Sequence, residues 1–393
     1  MPLPRLESAD VKNKRVLVTA DFKSQDGRSA DSLKVDAVVP TLELLLNRGA
    51  SVLLGTHLGL QLNDESVRTF LEQIAERLQG PLGAPPNILL DPFTAENQER
   101  LRTPPPGSLT LLENLQNFPE ETGGNEDFAK MLASMVDLYV NDSLQTCMTP
   151  YATATKLPDL VPGYAGLTLF REVETFRKLF TAFPKPFTLI VGGVDLERKI
   201  KFIRKLLPTL NTVLIGGGIS YTFLKSRAKP IGNSFFESDF QVDAFQTLER
   251  AELAETEYQL PVDHIIADQF SRQAKTKKAG DIPDNWQGMD IGPKTISSFE
   301  KVIKKSGTVI WYGPMGVTEF DKFAKGSESI AHALKKAKAR TVVLGESCLK
   351  IVDRLKVTDQ IDHVCLGSRA ACEILMGAPL PGLVALEQEE TES

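Results

Sequence analysis

The chain has 393 residues, a formal net charge of −6, 42% hydrophobic and 24% charged residues, which is ordinary for a globular protein but long for one core, so two domains are expected. The acidic balance argues against a nucleic-acid partner, and no apolar run reaches bilayer-crossing length, so a cytoplasmic protein without membrane contact is expected. Four cysteines (Cys147, Cys348, Cys365, Cys372) form neither a CxxC pair nor a disulfide framework; even with His363 beside Cys365, reduced packing thiols are expected and no metal site.

In chain order, an apolar strand is predicted over 15–22, then a helix over 35–47 whose apolar positions recur at three and four. A strand over 51–56 ends at His57-Leu58-Gly59. An amphipathic helix over 66–78 and strands over 87–90, 109–112 and 137–140 follow, the last ending at Asn141-Asp142. Five strands alternating with helices predict a parallel doubly wound sheet for the first 160 residues or so. One long helix over 166–183, stopped by Pro184 and Pro186, is read as the connection to a second domain.

The stretch 187–223 reads twice as apolar strand, glycines, helix. The glycines are Gly192 and Gly193 in the first unit and Gly216, Gly217 and Gly218 in the second. Two such turns in neighbouring βα units lie at one carboxyl edge of a sheet, where open α/β sheets bind ligands, so a nucleotide-type pocket is predicted there. Further on come a helix over 239–255, strands over 258–260 and 264–267, a turn over 288–293, a strand over 308–311, a loop over 312–316, a helix to about 337, and strands over 341–344 and 361–365. The fold class is α/β, with two doubly wound, Rossmann-like parallel sheets joined by the long helix.

Read together, VLVTADF, GASVLLGTHLG, LLENLQ, YVNDS, VGGVDLERKI, IGGGISYTF, LPVDHIIAD, WQGMDIGPKTI and VIWYGPMGVTEF fall in the order and spacing of phosphoglycerate kinases. The chain resembles that family over nearly its whole length. DIGPKT and the run from Trp311 to Gly326 are its most specific matches. The resemblance implies a first domain over 1–165 that binds 3-phosphoglycerate, an interdomain helix over 166–185, and a second domain over 186–375 that binds Mg-ATP or Mg-ADP. It also implies a tail over 376–393 that returns to the first domain, and a monomer.

Matched position by position, many of the family's phosphate-binding cations are replaced. The arginine before the strand-end aspartate is Thr19 and the asparagine after it is Lys23. The arginine that would steady the transferring group is Lys34, the candidate catalytic residue. In HLGRP the last two positions are Leu60 and Gln61, in ENLR the arginine is Gln116, and a later histidine-arginine pair is Met148-Thr149. Asp21 and His57 are kept. In the second half the GGAK lysine is Asp195, the WNGP asparagine is Tyr312, and GGGDT reads Leu344-Gly345-Glu346-Ser347-Cys348. Lys199, Pro314, Glu319 and the five glycines are kept as candidate nucleotide-binding residues.

A single arginine on a phosphoryl transition state is worth ~10³–10⁵ in rate. The replacements therefore lead to the expectation of a folded homologue that has lost phosphotransfer, with a regulatory, scaffold or interaction role, an unidentified protein partner and weak binding of adenosine or a mononucleotide. The alternative is an active phosphoglycerate kinase with a shifted basic set of Lys23, Lys34, Lys199 and Arg369. A third reading, an enzyme of a less charged substrate, would draw on His57, Asp21 and Glu113 as acid–base groups, although structural roles are expected for all three.

Overall fold

The computed structural model describes residues 2–24, 29–59, 62–181 and 183–387. The chain divides into two compact units. The first runs up to Arg177 and resumes at Arg369, and the second is Lys178–Ser368.

In the first unit, β1 (Arg15–Asp21), β2 (Ser51–His57), β3 (Asn87–Leu89), β4 (Leu109–Asn114), β5 (Leu138–Asn141) and β6 (Gly163–Ala165) form one parallel sheet in the order β3-β4-β2-β1-β5-β6. Every residue of β2 is buried, as a parallel strand covered on both faces requires. One face is covered by the helix Ser32–Asn47, whose Val35, Val38, Leu42 and Leu45 pack with Val16, Val18, Val52 and Leu54 of the strands. The sixth strand, Gly-Tyr-Ala, is too short to show periodicity, and five strands were all the pattern predicted.

The helix Leu167–Thr181 starts where the Asp142 carboxylate accepts hydrogen bonds from the Thr168 and Leu169 amides at 2.8 and 3.2 Å. Such a carboxylate satisfies amides that have no partner within the helix. A side chain at Gly166 would place its Cβ 2.3 Å from Asp142 Oδ1, so the approach requires glycine. Burial pushes the Asp142 carboxyl up to about 7.

The second unit contains β7 (Phe187–Val191), β8 (Thr212–Ile215), β9 (Glu257–Gln259), β10 (His264–Ala267), β11 (Thr276–Ala279), β12 (Gln287–Ile291), β13 (Thr308–Tyr312), β14 (Arg340–Leu344) and β15 (His363–Val364). Six of them make a parallel sheet in the order β15-β14-β13-β7-β8-β9. The other three make an antiparallel sheet with β10 at its centre. This second sheet departs from the expected turn over 288–293: those residues pair with β10 up to Ile291, and only Gly292-Pro293 turns into the helix Pro293–Lys305.

Each parallel sheet has a central point at which successive connections part in opposite directions. It lies between β1 and β5 in the first unit and between β7 and β13 in the second. Neighbouring connections there leave on opposite faces of the sheet, so the strand ends stay uncovered and a ligand can approach.

The helix Pro381–Leu386 packs within the first unit. A Cβ at Gly382 would stand 2.8 Å from the Cα of Cys147, and Arg177 and Glu387 form an ion pair. No helix among the described residues is long and apolar enough to cross a membrane.

Candidate functional site

At the first unit's reversal point, Asp21 ends β1 and takes Lys34 as its partner. The Lys34 Nζ is 2.7 Å from Asp21 Oδ2 and also donates to the Lys23 carbonyl at 2.7 Å, and the two paired side chains are 6% and 10% exposed. Lys34 is therefore fixed by charge and by backbone. Lys23 is exposed, and its side chain lies over Gly59, 3.1 Å from where a Cβ would stand. Gly59 has φ +113°, a conformation that favours glycine, which lets the lysine pass.

Neutral side chains hold the described part of the loop after β2. Gln116, in the place of the family's arginine, accepts from the Gly59 amide at 2.7 Å and donates to the Tyr151 hydroxyl at 2.7 Å. Asn114 accepts from the Leu58 amide at 3.0 Å and donates to the Gly59 carbonyl at 2.7 Å. His57 is buried; its Nε2 lies 3.0 Å from Glu121 Oε1, and its ring stacks on Tyr151 with centroids 5.0 Å apart. Glu121 also accepts from the amide and hydroxyl of Thr153 at 3.0 and 2.5 Å. A histidine 2% exposed and tied to a buried glutamate orients its loop, a structural role. Glu113 accepts from the Asp91 amide at 2.7 Å, and burial raises its pKa. Leu60 and Gln61 lie outside the described residues.

At the second reversal point the loops after β7, β8 and β13 interlock through their backbones. The Gly192 amide donates to Tyr312 O at 3.0 Å, Gly193 to Pro314 O at 2.6 Å, Gly217 to Met315 O at 3.1 Å, and Ile219 to Gly193 O at 2.9 Å. A Cβ at Gly192 would come 2.2 Å from Pro314 O, and one at Gly217 would come 2.2 Å from the Gly193 nitrogen. One at Gly216 would come 2.6 Å from the Met315 sulfur. Loop packing alone demands glycine at 192 and 217, where backbone atoms stand in the way; at 216 the obstacle is the flexible end of Met315. Gly218 differs, because its nearest side chains are Val194 and Phe235, apolar groups that are 56% and 48% exposed.

Lys199, in the helix Leu196–Leu206, lies beneath Tyr312 with its ammonium 2.9 Å from the ring centroid. Phe202 meets the same ring edge-on at 5.6 Å. The buried Cys348 thiol is pushed up to about 12 by desolvation, against the opposing pull of Lys199. Asp195, where the family has lysine, pairs with Arg198 at 2.9 Å. Glu319 is exposed, and its carbonyl accepts from Arg272 at 3.4 Å. Asp290 lies beside the 313–316 loop: its carboxylate accepts from the Ile291 and Gly326 amides at 2.9 and 2.7 Å and fills the space beside Gly316. Burial, with Glu328 nearby, pushes its carboxyl up to about 7.

The model of the family described as phosphoglycerate kinase matches residues 6–378. The chain belongs to the phosphoglycerate kinase family. It is 40% identical to "Phosphoglycerate kinase" of Leptospira biflexa over 99% of this chain and 100% of that one. It is 36% identical to the cytosolic phosphoglycerate kinase of Nicotiana tabacum over 97% of each, and 34% identical to that of Moorella thermoacetica over 98% and 99%. Among solved structures, the phosphoglycerate kinase of Coxiella burnetii superposes with a TM-score of 0.83 at 28% identity over 98% and 99% of the two chains. That of Pyrococcus horikoshii superposes at 0.84 and, at 23% identity, shows the fold alone.

These relatives overturn the expectation of a non-catalytic phosphoglycerate kinase homologue. Full-length similarity at 34–40% to proteins named for the kinase favours the alternative, an active enzyme. In the structure Asp195, which stands in place of a family lysine, has a cationic partner in Arg198. Sequence reasoning missed Glu121, Tyr151 and the aromatic cover on Lys199. No local signal could have found Glu121, since 64 residues separate it from His57.

Proposed function

We propose that this chain is an active phosphoglycerate kinase, which transfers the γ-phosphoryl group of Mg-ATP to the carboxylate of 3-phosphoglycerate and catalyses the reverse reaction. Its similarity to the Leptospira biflexa kinase over the full length of both chains carries this reading. In the forward step a carboxylate oxygen attacks the γ-phosphorus, the bond to the β-phosphate oxygen breaks, and ADP leaves with that electron pair, giving the acyl phosphate. The protein's part is positioning and positive charge.

The first unit takes the phosphoglycerate and the second the nucleotide. Lys23, exposed at the first reversal point, faces the acceptor's anionic groups, and Lys34 is the fixed cation beside it. Lys199 serves the phosphates, and Arg369, exposed at the start of the helix Ser368–Leu375, completes the basic set. The exposed pair Val194 and Phe235 beside Gly218 gives the base an apolar face, so adenosine alone binds weakly. The enzyme acts as a monomer and in the cytoplasm, the latter in keeping with a relative described as cytosolic.

The test is turnover of 3-phosphoglycerate with Mg-ATP, coupled to reduction of the product, beside a known active phosphoglycerate kinase. A rate within about a hundredfold of that control is expected, since lysine keeps the charge that arginine supplied and loses only its bidentate geometry. A rate at background from folded protein overturns the proposal.

A further inference from the structure

We infer that Tyr312 is a positioning residue for the nucleotide site, holding Lys199 under its ring until the triphosphate draws the ammonium away. The inference rests on the kinase reading above. Tyr312 ends β13 at the point where the second sheet reverses, and Lys199 stands in the first turn of the helix that follows the facing glycine loop. The ammonium lies 2.9 Å from the ring centroid, and both residues are buried, at 5% and 7% exposure. It also stands 3.2 Å from where a Cβ at Gly313 would be, so the absence of a side chain there leaves room for the ammonium. Phe202 packs edge-on against the ring and limits its rotation.

A cation over an aromatic face is attracted by the ring quadrupole, and the attraction grows as water is excluded. A phosphate oxygen makes a stronger, charge-assisted contact with the same ammonium. The ring contact is thus one that phosphate binding has to overcome, and it is the weaker of those two contacts. Tyr312 sets the affinity for ATP by that competition. It does not touch the reacting atoms.

The readouts are kinetic and spectroscopic. Tyr312→Leu removes the ring; the KM for Mg-ATP should fall about tenfold, with kcat within about twofold, because a desolvated cation–π contact is worth that order. Tyr312→Phe keeps the ring and should restore the wild-type KM. Independently of turnover, ¹³C-labelled lysine should show one εCH₂ signal shifted upfield by the ring current. Lys199→Gln identifies it, and Mg-ATP moves it towards the position of ordinary lysines. If that signal is shifted and moves with nucleotide in a protein that shows no turnover, the positioning role stands and the kinase reading falls. With normal turnover, an unshifted Lys199 signal, or one that ignores Mg-ATP, overturns the positioning role. So does an unchanged KM in folded Tyr312→Leu. The spectrum of the wild-type protein decides the matter even if Tyr312→Leu fails to fold.

Discussion

Both sheets reverse their strand order next to a buried lysine, but the two lysines are held by different chemistry. Lys34 is clamped by the Asp21 carboxylate, whereas Lys199 lies against the face of Tyr312. A carboxylate cancels the charge it holds. A ring lowers the energy of the cation without neutralising it. The first unit thus spends a cation on fixing its own strand end and leaves Lys23 exposed for an anion. In the second, the ring contact by itself does not neutralise Lys199.

The largest expected effect comes from breaking the clamp. Lys34→Met leaves Asp21 buried without its cation and should cost about 3–5 kcal/mol in chemical denaturation. Adding Asp21→Leu should recover most of that. A single-variant loss under about 1 kcal/mol would mean that this pair does not hold the end of β1. On the second unit the corresponding damage is steric. Gly192→Ala drives a Cβ to within 2.2 Å of the Pro314 carbonyl, a backbone atom with little room to yield, and should cost about 1–3 kcal/mol. Full stability in that variant would show that the interlocked loops separate easily.

A subtler effect is pH-dependent, and each unit offers a site. The Asp142 and Asp290 carboxyls both stand at about 7 against an ordinary 3.8. Between those values the folded protein binds more protons than the unfolded chain, so these groups make stability fall as pH rises from about 4 to about 7. Asp290→Asn should flatten that fall for the second unit, and Asp142→Asn should do so for the first. Thermal unfolding followed from pH 4 to 8 would check both, and an unchanged slope would mean that the carboxylates are better solvated by their amide donors than burial implies. The smallest effect is at the surface. Arg198→Ala removes the partner of Asp195, both partly exposed at 38% and 44%, and should change stability by no more than about 0.5 kcal/mol.

The parallel sheets were legible because buried parallel strands read as near-continuous apolar runs, such as Phe187–Val191 with Thr188 as its one polar residue. Of the antiparallel sheet, only the central strand His264–Ala267 was legible. Thr276–Ala279 is polar and largely exposed, and Gln287–Ile291 carries a glycine whose missing side chain is replaced in space by the Tyr221 ring. Only tertiary packing makes strands of such segments. At the site, glycine, lysine and aspartate identities were legible, but their partners were not. Glu121 reaches His57 and Tyr151 stacks on it only after folding, and Gln116 exchanges an arginine's charge for a hydrogen-bonded brace. Counting lost arginines measured the departure from a motif. It did not measure how neighbouring groups adjust, and the inference of lost catalysis therefore went too far.

The return of the chain to its first unit has a consequence for biosynthesis. Residues 381–386 settle against segments near Cys147, so their binding surface leaves the ribosome more than two hundred residues before they do. The second unit is continuous and can close its core while translation proceeds. The first unit to emerge is thus the last to be completed, and until then the apolar patch that receives Leu383 and Leu386 stands open to chaperones or to the same patch on a neighbouring nascent chain.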